Sequence, residues 1–228
     1  MSNAQQALVD GLTPFLGERG FKWNKGREGF FRKEPFGFLD LSWSTHVTGQ
    51  NGGEFVLTPL LAVRHNEVDN IVNELGLIHG DSNRRYTTTV TRSLGFFPFV
   101  DGRDETQRIR IGNIESDAKS AASEVRSMFV QYGAAFFDKY SSLAACSEGL
   151  NDVIETKSHP LLNNFPMRAY YGLAAAALCE PDRVETLFTS YCQFSLREFP
   201  DQYQQISGRL TKVRAMAGAA LAIRARSF

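Results

Sequence analysis

Phe15-Leu-Gly-Glu-Arg-Gly-Phe-Lys-Trp-Asn-Lys-Gly-Arg-Glu-Gly-Phe-Phe-Arg32 decides how the first half of the chain folds. Read in order, it is the end of a helix, a glycine stop, a strand, a glycine turn and a second strand. Upstream, Ala4, Ala7, Leu8, Leu12, Phe15 and Leu16 recur at helical spacing, so a helix runs from a cap at Ser2 or Asn3 to Leu16. Pro14 lacks an N–H and is expected to kink or loosen its last turn. Gly20 is a better C-cap than Gly17. Phe21-Lys-Trp23 alternates as a strand, Asn24 to Gly29 is a turn cluster, and Phe30 to Lys33 resumes a strand that Pro35 breaks.

Working outward, Phe38 to Val47 alternates again. Leu39, Leu41, Trp43, Thr45 and Val47 share the expected core face; Phe38, Asp40, Ser42, Ser44 and His46 share the other. Thr48 to Gly53 is a hairpin turn, because its Asn-Gly pair tolerates positive φ. Glu54 to Arg64 is the next strand, and Pro59 within it points to an edge or a bulge. Asn66 caps a short helix carrying Val68, Ile71, Val72 and Leu75, ended by Gly76. Tyr86 to Thr91 is strand by composition. Gly95 to Phe99 is an apolar loop and Asp101 to Asp104 a turn. Thr106 to Ile111 alternates, with Ile109 and Ile111 inward.

From Glu115 the pattern is helical to the end. Ala118, Ala122, Val125, Phe129, Tyr132 and Phe136 form one apolar seam. Ser141 or Ser142 restarts a helix, and Pro166 begins the one over Met167 to Cys179. Glu180-Pro-Asp182 is a corner. Leu187, Phe188, Tyr191, Phe194 and Leu196 mark the next helix; Ile206, Leu210, Val213 and Ala217 mark the last. The expected fold class is α+β: an N-terminal helix and about five mainly antiparallel strands over residues 1–114, then about five helices over 115–228, packed as one continuous body.

Composition bounds the function. Of 228 residues, 43% are hydrophobic and 22% charged, which fits a soluble globular chain. Net charge is zero, so a global nucleic-acid footprint is absent. The basic residues after Asp201 suit the C-terminal end of a last helix. Cys146, Cys179 and Cys192 form no metal spacing and sit in apolar helical stretches. With no signal-like N-terminus, they are expected to be buried, reduced thiols in a cytoplasmic protein. The apolar run Leu173 to Cys179 is too short to span a bilayer, so no membrane partner is expected.

Chemistry-bearing motifs are missing. His46, His65, His79 and His159 lack ligand spacing, so no metal or cofactor is expected. The Gly49-Gln-Asn-Gly-Gly53 run is not followed by Lys-Ser/Thr or a helix, and no G-x-S-x-G occurs. What remains is arginine and aromatic placement on the sheet: Arg27, Arg32, His46, Arg84, Arg85, Tyr86, Arg92, Arg108 and Arg110 are the partner-binding candidates. Arginine beside aromatic rings suits protein hot spots.

Gly20-Phe21-Lys22, then Gly26, then Phe30/Phe31-Arg32, resembles the start of a bacterial family, domain of unknown function 4304. The resemblance covers the sheet-bearing first half. It implies an N-terminal helix, a Gly-Phe junction and an antiparallel sheet opened by Phe-x-Arg. Some members sit among polymorphic-toxin immunity genes, which implies a non-enzymatic binding or immunity role. It supplies no site residues.

The expected function is therefore a non-catalytic module, of the immunity or antitoxin type, that binds another protein. One alternative is an enzyme with a cleft between sheet and helices, using His46, Arg64 or Tyr86. The other is a nucleic-acid binder using Arg84, Arg85 and the basic last helix.

Overall fold

The computed structural model describes residues 3–48, 54–94, 109–112, 115–161 and 164–225. The loop at 95–99, the turn at 101–104 and all but Thr48 of the expected hairpin turn lie outside the described residues.

Helix α1 spans Asn3–Gly17 and buries Ala4, Leu8, Val9, Leu12 and Leu16. Pro14 sits inside it. Its carbonyl still accepts the Glu18 N–H at 3.1 Å, so the missing donor removes one bond without ending the helix. The stop comes at Gly20, which adopts φ 80°. Gly20 donates to the Gly17 carbonyl and Phe21 to the Leu16 carbonyl, both at 3.0 Å. This is the double-bonded glycine terminus, and its two apolar positions, Leu16 and Phe21, are both buried.

Strands β1 (Lys22–Asn24), β2 (Gly29–Glu34), β3 (Gly37–Thr48), β4 (Glu54–His65), β5 (Val90–Ser93) and β6 (Ile109–Gly112) form one sheet. Its order is β1-β2-β3-β4-β5, with β6 paired to β4. The antiparallel β2/β3 register pairs Phe30 with Leu41 and Arg32 with Leu39. Phe30, Leu39 and Leu41 are fully buried, as the alternation implies, but the expected core face does not continue along β3: Trp43 is half-buried and Thr45 exposed. Trp23 stacks on Trp43 with ring centroids 5.4 Å apart.

Pro59 does not mark an edge. Strand β4 is interior, and the antiparallel β6 ladder ends at Leu57, two residues before the proline. The expected Tyr86–Thr91 strand also shortens. Asp81–Arg84 forms a single helical turn, α3, and regular strand begins only at Val90. Thr87 and Thr89 direct their hydroxyls to other partners: Thr87 to the Arg84 carbonyl, Thr89 to Asp69. Helix α2 (Asn66–Asn73) is preceded by His65 without a side-chain cap. Asn66 instead accepts from Arg64 Nε at 2.9 Å.

The seam from Ala118 runs through α4 (Glu115–Met128), a π turn (Phe129–Gly133) and α5 (Ala134–Tyr140). The wider turn shifts the phase, so Phe136 and Phe137 are both buried while Tyr132 is half-exposed. A Cβ on Gly133 would lie 2.9 Å from the Phe129 ring. Helices α6 (Leu143–Asn151), α7 (Met167–Cys179), α8 (Val184–Glu198) and α9 (Tyr203–Ala225) follow. Ser142 caps α6 through the Ala145 N–H. Pro166 stands immediately before α7 and is not its first residue. Leu187, Tyr191 and Phe194 are the buried stripe of α8, and Leu196, two residues on from Phe194, is turned off it and 56% exposed.

The fold is thus α+β, with one helix and an antiparallel sheet followed by about five helices. The chain forms two compact units, residues 1–63 with 91–138, and 64–90 with 139–228. The helix from Glu115 groups with the sheet, and α2 groups with the later helices. No helix among the described residues is long and apolar enough to cross a membrane.

Candidate functional site

Polar chemistry concentrates at one place in each unit. In the first unit it is the sheet face opposite the core. The turn after β1 is tied by Asn24, whose Oδ1 accepts from the N–H groups of Gly26 and Arg27 at 3.0 and 3.2 Å. This folds Arg27 back over the sheet. Its Nη2 lies 2.9 Å from Asp40 Oδ2, and its guanidinium carbon is 5.1 Å and 5.5 Å from the Phe31 and Phe38 ring centroids. Those two rings are 4.9 Å apart.

Asp40 belongs to the face expected to be open, yet its side chain has no solvent exposure. The turn residue Arg27 and the two half-exposed rings close over that point of the sheet. Ser42 donates to Oδ2 at 3.3 Å, and Oδ1 has no hydrogen-bond partner. Gly29 makes room for it: a Cβ there would be 2.8 Å from Oδ1. Burial raises the Asp40 pKa from 3.8 to about 6, with the Arg27 charge and the Ser42 hydrogen bond opposing the rise.

Arg32 does not join Arg27. Its register partner is the core residue Leu39, so it lies on the other face. There it pairs with Glu34 at 2.6 Å, donates to the Arg19 carbonyl and sits over the Phe21 ring. Arg92 is half-buried within β5. Arg108 lies outside the described residues, as do the side chains of His46 and Arg110.

In the second unit, Arg64 and Asp69 form a buried pair. Arg64 Nη1 donates to the Thr87 hydroxyl at 2.6 Å and to the carbonyls of Thr87 and Arg84 at 2.9 and 3.0 Å. Asp69 Oδ1 lies 3.6 Å from that nitrogen. Thr89 donates to Oδ2 at 2.6 Å and Tyr171 to Oδ1 at 3.4 Å. Burial lifts the Asp69 pKa to about 6, against the Arg64 charge and these hydrogen bonds. A cavity of about 390 Å³ opens beside the pair, lined by Arg64, Asn70, Asn73, Glu74, Asp81, Arg84 and Arg85. Two expected site residues, Arg84 and Arg85, therefore meet here; Tyr86, 38% exposed, does not line the cavity.

His65, the three cysteines and Arg168 are committed to structure. His65 donates from Nε2 to the Tyr140 carbonyl at 2.9 Å, and burial lowers its pKa. Burial also raises all three thiol pKa values, which keeps the nucleophilic thiolate form scarce. Arg168 is wholly buried and donates to four carbonyls, those of Leu150, Val153, Ile154 and Thr156. The described residues contain no group of three or more metal-type ligands.

Sequence patterns missed Asp69, Asn73 and Arg168. The usable signal for Arg168 is that it is the one charged residue in the Met167–Cys179 helix. For Asp69 and Asn73 the signal is weaker: both fall on the buried side of α2, among Val68, Ile71 and Val72. Comparisons with protein-family models, with curated proteins and with solved structures find no match.

Proposed function

We propose that the protein is a non-catalytic binding module whose Arg27–Phe31–Phe38 face docks an acidic segment of a partner protein. The observation that carries this is Arg27 itself. A guanidinium fixed by a buried carboxylate and backed by two half-exposed rings is an ordered arginine–aromatic anchor. Ordering it before binding lowers the entropy lost on association. By register, Lys22 and Lys33 share this face, both exposed. Three cations against Asp40 leave it net positive, so the complementary surface is acidic. An immunity-type role, as the family resemblance implies, agrees with this chemistry.

The nucleic-acid alternative draws less support. On the last helix, Arg214 pairs with Glu185 at 2.8 Å and Lys212 donates to the Glu74 carbonyl. These charges have local partners.

Affinity capture from lysate of the native host, with carbodiimide crosslinking of carboxylates to lysine amines and mass spectrometry, tests the proposal. The expected result is a protein joined through an acidic stretch to Lys22 or Lys33, and lost with Phe38→Ser. Retention of the same protein by Phe38→Ser, or no protein retained at all, contradicts it.

A further inference from the structure

The cavity beside Arg64 has an unusual charge arrangement. Arg84 and Arg85 line it with Glu74 and Asp81, yet no ion pair joins the two cations to the two carboxylates. Arg84 Nε is anchored on the Ile78 carbonyl at 3.0 Å. Its terminal nitrogens make no hydrogen bond among the described residues.

The floor of the cavity adds an independent observation. Thr87 donates its one hydroxyl proton to the Arg84 carbonyl at 3.1 Å. Its oxygen must then accept from both Arg64 Nη1 and Asn73 Nδ2, at 2.6 and 3.1 Å. Asn73 Nδ2 also donates to the Arg84 carbonyl. These partners fix the amide with its nitrogen inward. Asn73 Oδ1 is left buried and without a donor, in a residue only 7% exposed. A buried acceptor in that state calls for an external N–H or O–H.

We infer that this cavity binds a small zwitterion of the α-amino-acid type. The carboxylate meets the Arg84 and Arg85 guanidiniums, which suit a planar anion. The ammonium group supplies the donors that Asn73 Oδ1, Glu74 and Asp81 lack. A simple anion satisfies only the arginines, and a simple amine only the acceptors. The volume, about 390 Å³, falls at the small end of ligand pockets, which run roughly 300–1,000 Å³. Arg64, Thr87 and Asn73 are locked by their own hydrogen bonds, so the floor is built before any ligand arrives.

Titration of the full chain, followed by calorimetry and by amide NMR shifts, tests this. The probes are glycine, L-serine, L-glutamate and L-arginine, with acetate, inorganic phosphate and ethylamine as single-charge controls. At least one amino acid is expected to saturate the site and to bind at least tenfold more tightly than any control. The exposed variants Arg85→Ala and Glu74→Gln are each expected to weaken it about tenfold, near 1.4 kcal/mol. Failure of every amino acid to saturate overturns the assignment. So does phosphate or acetate binding as tightly as the amino acids, or amino-acid binding that survives both substitutions unchanged.

Discussion

Arg27 Nη2 lies 2.9 Å from the carboxylate of Asp40, a side chain with no solvent exposure. Burial and ion pairing act on Asp40 in opposite directions, and burial wins, since its pKa rises from 3.8 to about 6. Between those values the unfolded chain has already released the proton that the folded chain retains. Stability from this group is therefore fully present below about pH 4 and is lost as pH rises through about pH 6. The loss is of the order of 3 kcal/mol. Urea unfolding of the wild type and Asp40→Asn from acid to neutral pH checks it: their stability difference is expected to drift in the variant's favour over that interval.

Removing Arg27 isolates the other half of the pair. Arg27→Ala leaves a buried carboxylate with Ser42 as its remaining partner. Breaking a buried pair from one side costs roughly 3–5 kcal/mol, and the 18% exposure of the arginine side chain puts this one at the low end. The deficit is expected to shrink below about pH 6, where Asp40 is protonated. The double variant Arg27→Ala/Asp40→Asn is expected to recover most of it at neutral pH. A double-mutant cycle by chemical denaturation measures the coupling.

Gly29 is a packing test at the same place. A Cβ there meets Asp40 Oδ1 at 2.8 Å and Ser42 Cβ at 3.0 Å. Neither atom belongs to a long flexible side chain. Gly29→Ala is expected to destabilise by roughly 1–3 kcal/mol, the usual range for overpacking. Thermal unfolding checks it.

In the second unit, Arg168 holds four carbonyls, that of Leu150 in the last turn of α6 and those of Val153, Ile154 and Thr156 beyond its end. Lysine has three donors on one nitrogen and cannot reproduce that fork. Arg168→Lys is expected to cost about 2 kcal/mol, and Arg168→Met more, because a buried carbonyl left unpaired, as that of Leu150 is, costs roughly 1–3 kcal/mol and the three part-buried ones add to it. Denaturant midpoints give the ranking. Hydrogen exchange of residues 150–156 shows whether the loss is local.

Legibility in the sequence followed periodicity. The Gly20 stop, the Leu39/Leu41 core face and the buried Ile109 and Ile111 were readable because spacing of two or of three and four reports burial directly. Pro59 misled because an interior strand tolerates a proline beyond the end of a neighbour's ladder. The threonines after Tyr86 misled because β-branched composition says nothing about where a hydroxyl bonds. Asp40 and Asp69 were opaque for a related reason. In its strand Asp40 alternates with polar neighbours and looks solvated until a turn arginine is seen to cover it, and Asp69, in a short helix, gives no sign of the strand arginine it pairs with. Partnerships over long sequence separations, such as Tyr171 with Asp69, leave no periodic trace.

The central claim is that a net-positive face around Arg27 reads an acidic partner. Lys33 tests it most directly, being exposed and free of a packing role. The measurement is the affinity of the captured partner for the wild type and for Lys33→Glu, at low and at high salt. Lys33→Glu is predicted to weaken binding about tenfold, near 1.4 kcal/mol, and to flatten the salt dependence. Equal affinities for the two proteins at both salt concentrations would contradict the claim.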